Sequence, residues 1–173
     1  MTSEDAGRAL APGLYFHEDL RPGDWYRTGG ILVTESHVVG FAGLGGDFFD
    51  LHMDEAYARD LGFAGRAAHG LLVLALADGL KNRAAVQLAA VASLGWDWTF
   101  AAPVFIGDRI EARLTVADTR LTSRGDRGIV RLRIAVGNQN GDDVQHGTNT
   151  LMMRRRNAGP LRDAEGPAGA RRP

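Results

Sequence analysis

The sequence predicts an α+β domain in which an antiparallel sheet curls around one buried helix. Three observations point there. The run "GLLVLALADGL", Gly70–Leu80, is apolar on nearly every side, as only an enclosed helix tolerates. Two later stretches, "RIEARLTVA" and "VRLRIAV", alternate with a period of two, the signature of strands with one buried face. Turn chemistry, "TSRGDRG" and "GNQNGDD", separates or follows them.

The 173 residues suit one domain, and 45% hydrophobic content is enough for a core. A net charge of −1 gives no general pull toward nucleic acid or an anionic membrane. There are no cysteines, which excludes disulfides, thiolate metal sites and a cysteine nucleophile. "MTSEDAGRAL" lacks a basic start followed by an apolar run, so the expected location is cytoplasmic. The longest apolar run is too short to cross a bilayer.

Residues 1–12 read as a flexible tail, 13–154 as a single domain, and "RRNAGPLRDAEGPAGARRP", 155–173, as a disordered tail. Within the domain, "WYRTGGILVT" after the Gly23-Asp24 turn contains a strand. Thr34 is placed to cap a short helix through Leu44, stopped by Gly45-Gly46. "DEAYARDLGF" from Asp54 is a second short helix, acidic in its first turn. "HGLLVLALADGLKNRAAVQL" is the central helix. "SLGWDWTF", "RIEARLTVA", "VRLRIAV" and "HGTNTLMMR" form the wrapping strands, about five with the one N-terminal to the helix. On one face of the first alternating strand lie Ile110, Ala112, Leu114 and Val116; on the second, Val130, Leu132, Ile134 and Val136.

Chemistry gathers in "GGDFFDLHMDEAYARDLGFAGRAAHGLL", where Asp47 stands five positions before His52. A carboxylate and an imidazole this close suit general acid–base work on one water; the plainer alternative is an aspartate that bends a glycine-rich loop. Gly70 opens the central helix, where backbone N–H groups are unpaired and the dipole is positive. His17, His37 and His146 are scattered, and no metal site is expected. No phosphate-binding glycine loop is present.

Taken together, Gly46, Asp47, Leu51, His52, Asp54, Arg66, His69 and Gly70 resemble the hydratase signature of the MaoC-like dehydratases, the (R)-specific enoyl-CoA hydratases. "VTESHVVGFAGLGGD" and "PVFIGD" are also similar to that family, and the likeness covers most of residues 13–154. It implies the hot-dog fold, a homodimer or larger homo-oligomer joined at sheet edges, and an acyl-CoA thioester substrate with no cofactor beyond the CoA of that substrate. It implies reversible hydration of a trans-2-enoyl-CoA to an (R)-3-hydroxyacyl-CoA. Asp47 and His52 would act as the catalytic pair and the Gly70 N–H as oxyanion donor. Phe48, Phe49, Arg66 and His69 would contact substrate, Arg66 through a CoA phosphate. His69 also reads as a residue that positions the helix start, and the two phenylalanines as simple core packing. Many members carry a proline where this chain has Asp50, just before the aliphatic residue and histidine; the substitution adds a negative charge and removes a rigid φ. A hot-dog thioesterase and a non-catalytic acyl-CoA-binding module are the alternatives.

Overall fold

The computed structural model describes residues 7–157. Its elements are β1 (Gly13–Tyr15), β2 (Trp25–Arg27), β3 (Ile31–Leu32), α1 (Glu35–Gly45), α2 (Asp50–Met53), α3 (Glu55–Asp60), α4 (Gly70–Asn82), β4 (Val86–Leu88), β5 (Ala90–Phe100), β6 (Arg109–Leu121), β7 (Arg127–Gly137) and β8 (Asp143–Arg154). The main sheet runs β2-β6-β7-β8-β5, with β3 also paired to β6. Every pairing in it is antiparallel. α4 packs against its inner face.

The alternation places the core where expected. Ile110, Ala112, Leu114 and Val116 are 2% exposed or less, and Val130, Leu132, Ile134 and Val136 are also buried. From α4 come Leu72, Val73, Ala77 and Leu80. The helix is not enclosed on all sides, however: Leu71 is 60% exposed and Ala75 and Gly79 face outward. A single chain offers one sheet, so one face of α4 is covered and the other is not. The helix also ends at Asn82 rather than continuing through "AAVQL", because Val86–Leu88 pairs in parallel with β1 instead.

α1 begins as its cap predicts. The Thr34 hydroxyl accepts the His37 N–H, and His37 Nδ1 accepts the Thr34 N–H in return. Gly46 ends the helix in the left-handed region, φ 77°. Asp54 caps α3 by accepting the Ala56 and Tyr57 N–H groups.

The tails depart from expectation where they are described. Residues 7–12 are packed, not free: Leu10 is buried and bonded to the β2 backbone, and Arg8 pairs with buried Asp24 at 2.6 Å. At the other end Arg155 pairs with Glu18 and Arg156 with Asp19. The rest of both predicted tails, 1–6 and 158–173, lies outside the described residues. Among the described residues, no helix is long and apolar enough to cross a membrane.

Candidate active site

The segment between α1 and α4 folds back over the start of α4. Asp47 follows the Gly46 cap in an exposed turn, its Oδ1 accepting the Phe49 N–H at 3.3 Å. The loop-bending role and a chemical one are therefore compatible, since the second carboxylate oxygen is not used by that turn. His52 is not on a loop: it sits on the single turn of α2. Asp50 is the first residue of that turn, with Phe49 before it at φ −58° and ψ 135°. The first helical position is also where proline is favoured, so the departure at Asp50 exchanges one helix-starting device for another, an acid matched to the positive helix end.

Two backbone carbonyls fix the imidazoles. His52 Nδ1–H donates to the Ala67 oxygen at 2.7 Å, which leaves Nε2 as the free acceptor. His69 Nε2–H donates to the Asp47 oxygen at 2.9 Å, which leaves Nδ1 buried without a partner. The rings stack at 3.8 Å between centroids, and Phe41 packs on His69 at 5.2 Å. Ligating atoms of Asp47, His52 and His69 lie within 4.8 Å of one another. Three polar side chains this close could hydrogen-bond one small molecule together.

His69 is the residue before α4, so the pair adjoins the N–H groups that open the helix. A side chain at Gly70 would crowd the Phe100 ring at the end of β5, since a Cβ there would come 2.9 Å from it and the ring would have to shift. Gln145 of β8, fully buried, holds the Gly70 carbonyl at 3.1 Å and accepts from Trp98 Nε1 at 2.8 Å.

Of the sequence-predicted residues, Asp47, His52, His69 and Gly70 come together. Phe49 joins them, edge-on to His52 at 6.1 Å and to Tyr57 at 5.8 Å. Phe48 is 56% and Phe49 50% exposed, so neither packs the core. Arg66 turns inward. Its guanidinium donates to the His52 carbonyl at 2.9 Å and pairs with Glu35 at 2.7 Å, tying α2 to α1. Phe100 and Gln145 escaped the sequence reading. Gln145 had a signal: it stands in phase with buried Leu151 and Met153 on a strand that alternates.

The comparisons decide the family. The family model for the MaoC like domain matches residues 19–138. The chain belongs to the MaoC-like family. An (R)-specific enoyl-CoA hydratase from Aeromonas caviae is 34% identical over 108 residues, covering 61% of this chain and 75% of that protein. A Klebsiella aerogenes protein MaoC is 38% identical over 107 residues, 61% of this chain; the match spans only 32% of that longer protein. The crystal structure of a MaoC-like dehydratase from Rhodospirillum rubrum superposes with a TM-score of 0.76 at 30% identity, covering 82% of this chain and 98% of that one. The fold of this MaoC-like chain is the hot-dog fold that the resemblance implied.

Proposed function

We propose that this protein catalyses reversible hydration of a trans-2-enoyl-CoA to an (R)-3-hydroxyacyl-CoA, as a hydratase/dehydratase of the carbon–oxygen lyase class. The observation that carries the reading is the tautomer set by Ala67. With Nδ1–H committed, His52 presents a basic Nε2 beside the Asp47 carboxylate, at the start of α4.

The chemistry follows from that arrangement. A water held between Asp47 and His52 Nε2 attacks C3, and the pair takes its proton. The π electrons move through C2 to the thioester oxygen, which is stabilised by the Gly70 N–H and the positive end of α4. The enolate collapses, and the same pair returns the proton to C2. Atoms balance, and no redox partner or further cofactor is needed. His69 and Arg66 act as positioning residues, one holding the Asp47 backbone and the other the His52 backbone. Phe49 lines the acyl side of the site.

A homodimer belongs to the same proposal. β5 ends the sheet with an eleven-residue edge that pairs only with β8 among the described residues. A long open edge invites pairing with a second copy. Exposed Leu94 and Phe100 on β5 and Leu71 on α4 supply the apolar surface such a contact would cover. Since Phe100 also touches Gly70, a partner there would border the site.

The test is a panel of enoyl-CoA thioesters followed by loss of the conjugated absorbance, with chiral analysis of the product and light scattering for mass. Hydration to the (R) alcohol by a dimer is expected. Release of free thiol with no hydration would favour the thioesterase; binding of a saturated acyl-CoA with neither reaction would favour the binding module.

A further inference from the structure

Gly70 has less to hold it than any other residue of the site. It has no side chain to pack, and a glycine backbone turns more freely than any other. Its N–H is one of those that open α4 without a helical partner. A donor to a developing oxyanion is effective when it already points where the charge will appear. The orientation of the Gly70 peptide groups must therefore be set by other residues.

The sheet supplies two of them. Gln145 of β8 and Phe100 of β5 are direct cross-strand partners, and both reach Gly70. The Phe100 ring closes on the space a side chain would need. Gln145 Nε2 donates to the Gly70 carbonyl at 3.1 Å. The amide is locked in that sense. Trp98 Nε1–H is a donor only and is directed at Gln145 Oε1, 2.8 Å away, so Nε2 has to face the carbonyl. On its other side Gln145 is paired with Val136 of β7, which is fully buried. An apolar side chain at position 145 would fill the same space without the cost of desolvating an amide. The buried amide instead directs its donor at the carbonyl of the residue proposed to bind the oxyanion. On the other side of Gly70, His69 is held by its own bond to the Asp47 carbonyl. Gly70 is thus fixed by one directed bond through the residue before it and one at its own carbonyl.

We infer, resting on the hydratase reading, that Gln145 is a positioning residue for the oxyanion donor. Through the Gly70 carbonyl it holds the first turn of α4 so that the Gly70 N–H faces the thioester oxygen, and Trp98 keeps the amide in its donating sense.

Two variants and two readouts test this. Gln145→Met is similar in length and cannot donate. Trp98→Phe keeps an aromatic ring and leaves the Gln145 amide free to turn. With trans-2-hexenoyl-CoA, Gln145→Met should lower kcat about 10- to 100-fold, less than the loss of an oxyanion donor itself, and leave KM within about threefold. Trp98→Phe should lower kcat by a smaller factor, about three- to tenfold, because the donor is still present. The second readout is the absorbance of trans,trans-2,4-hexadienoyl-CoA bound to Asp47→Asn, in which turnover is slow. A donor on the thioester oxygen moves the conjugated band to longer wavelength. Adding Gln145→Met should remove most of that red shift, and adding Trp98→Phe should remove part of it. If Gln145→Met does not fold, Trp98→Phe decides alone. Variants that melt earlier yet keep wild-type kcat and the full red shift make Gln145 a brace of the fold and overturn the inference. A fall in kcat with the red shift intact also overturns it, because Gln145 then does not act through Gly70. Both outcomes leave the hydratase reading standing. A folded wild-type chain that hydrates no enoyl-CoA overturns that reading and this inference with it.

Discussion

The sheet with α4 and the segment from α1 to α3 are built on opposite terms. In the first, Val73, Ile110, Val130, Leu132 and Met153 are fully buried. In the second, only Val38, Ala42 and Ala58 are buried, while Leu44 is 86% exposed and Phe48, Phe49 and Leu61 about half. That segment is held by a few directed bonds: His69 to the Asp47 carbonyl, His52 to the Ala67 carbonyl, Arg66 to the His52 carbonyl and Glu35. Burial fixes the fold, and a handful of hydrogen bonds fixes the chemistry. Substitutions in the two regions should therefore fail in different ways.

The largest effect is expected at the proposed catalytic pair. Asp47→Asn and His52→Gln should each lower kcat by about two to four orders of magnitude, the range for lost acid–base catalysis. The double variant should be little worse, because groups that act as a unit are not additive. Asparagine can still accept the Phe49 N–H, and His52 is only half-buried, so thermal melting should barely move. Wild-type turnover in both single variants would remove the pair from the mechanism.

The core should answer in stability. Leu80, 2% exposed on the covered face of α4, should cost about 2–5 kcal/mol when changed to alanine. Leu71→Ala, on the uncovered face, should shift the stability of the single chain by about 0.5 kcal/mol or less. Urea unfolding at several protein concentrations separates the two. A Leu71→Ala penalty that grows with concentration would show that a second copy covers this face. Equal penalties at all concentrations would break the contrast between the faces.

What could be read beforehand divides along the same line. The alternation of Ile110 to Val116 and of Val130 to Val136 is a local pattern, and it located the core directly. The all-round apolarity of Gly70–Leu80 identified the central helix but overstated its enclosure, since composition cannot tell a face covered by the sheet from one left for another surface. Asp47, His52, His69 and Gly70 were picked out as candidates by their likeness to the hydratase signature, not by spacing alone. Their joining was not legible, because it depends on bonds to carbonyls of Ala67 and Asp47, which carry no residue-type signal. The partners of Arg66 were hidden for a related reason: an arginine in a site segment reads as an anion binder, and its bonds to Glu35 and to a backbone oxygen carry no local signal. Residues 8–10 read as a polar tail, yet Leu10 is a core residue that a three-residue stretch cannot announce.

The smallest expected effect tests how far the chemistry depends on the helix start at Asp50. Phe49 has φ −58° and ψ 135°, an extended conformation that a following proline requires. The Asp50 carbonyl accepts the Asp54 N–H at 2.8 Å, and proline keeps that carbonyl. Asp50→Pro should therefore fit. It should gain ~0.4–1 kcal/mol from a stiffer unfolded chain and lose ~0.3–1 kcal/mol with the charge at the helix start, so its melting temperature should stay close to the wild type. Asp50→Ala loses the charge without the stiffening and should melt below Asp50→Pro. Both should keep kcat, because Asp50 is exposed and the tautomer of His52 is set by Ala67 instead. If Asp50→Pro alone slows turnover, the reaction needs motion in this turn that the ring forbids. If both slow it, the Asp50 carboxylate takes part in the reaction, and Asp47 with His52 is not the whole acid–base machinery.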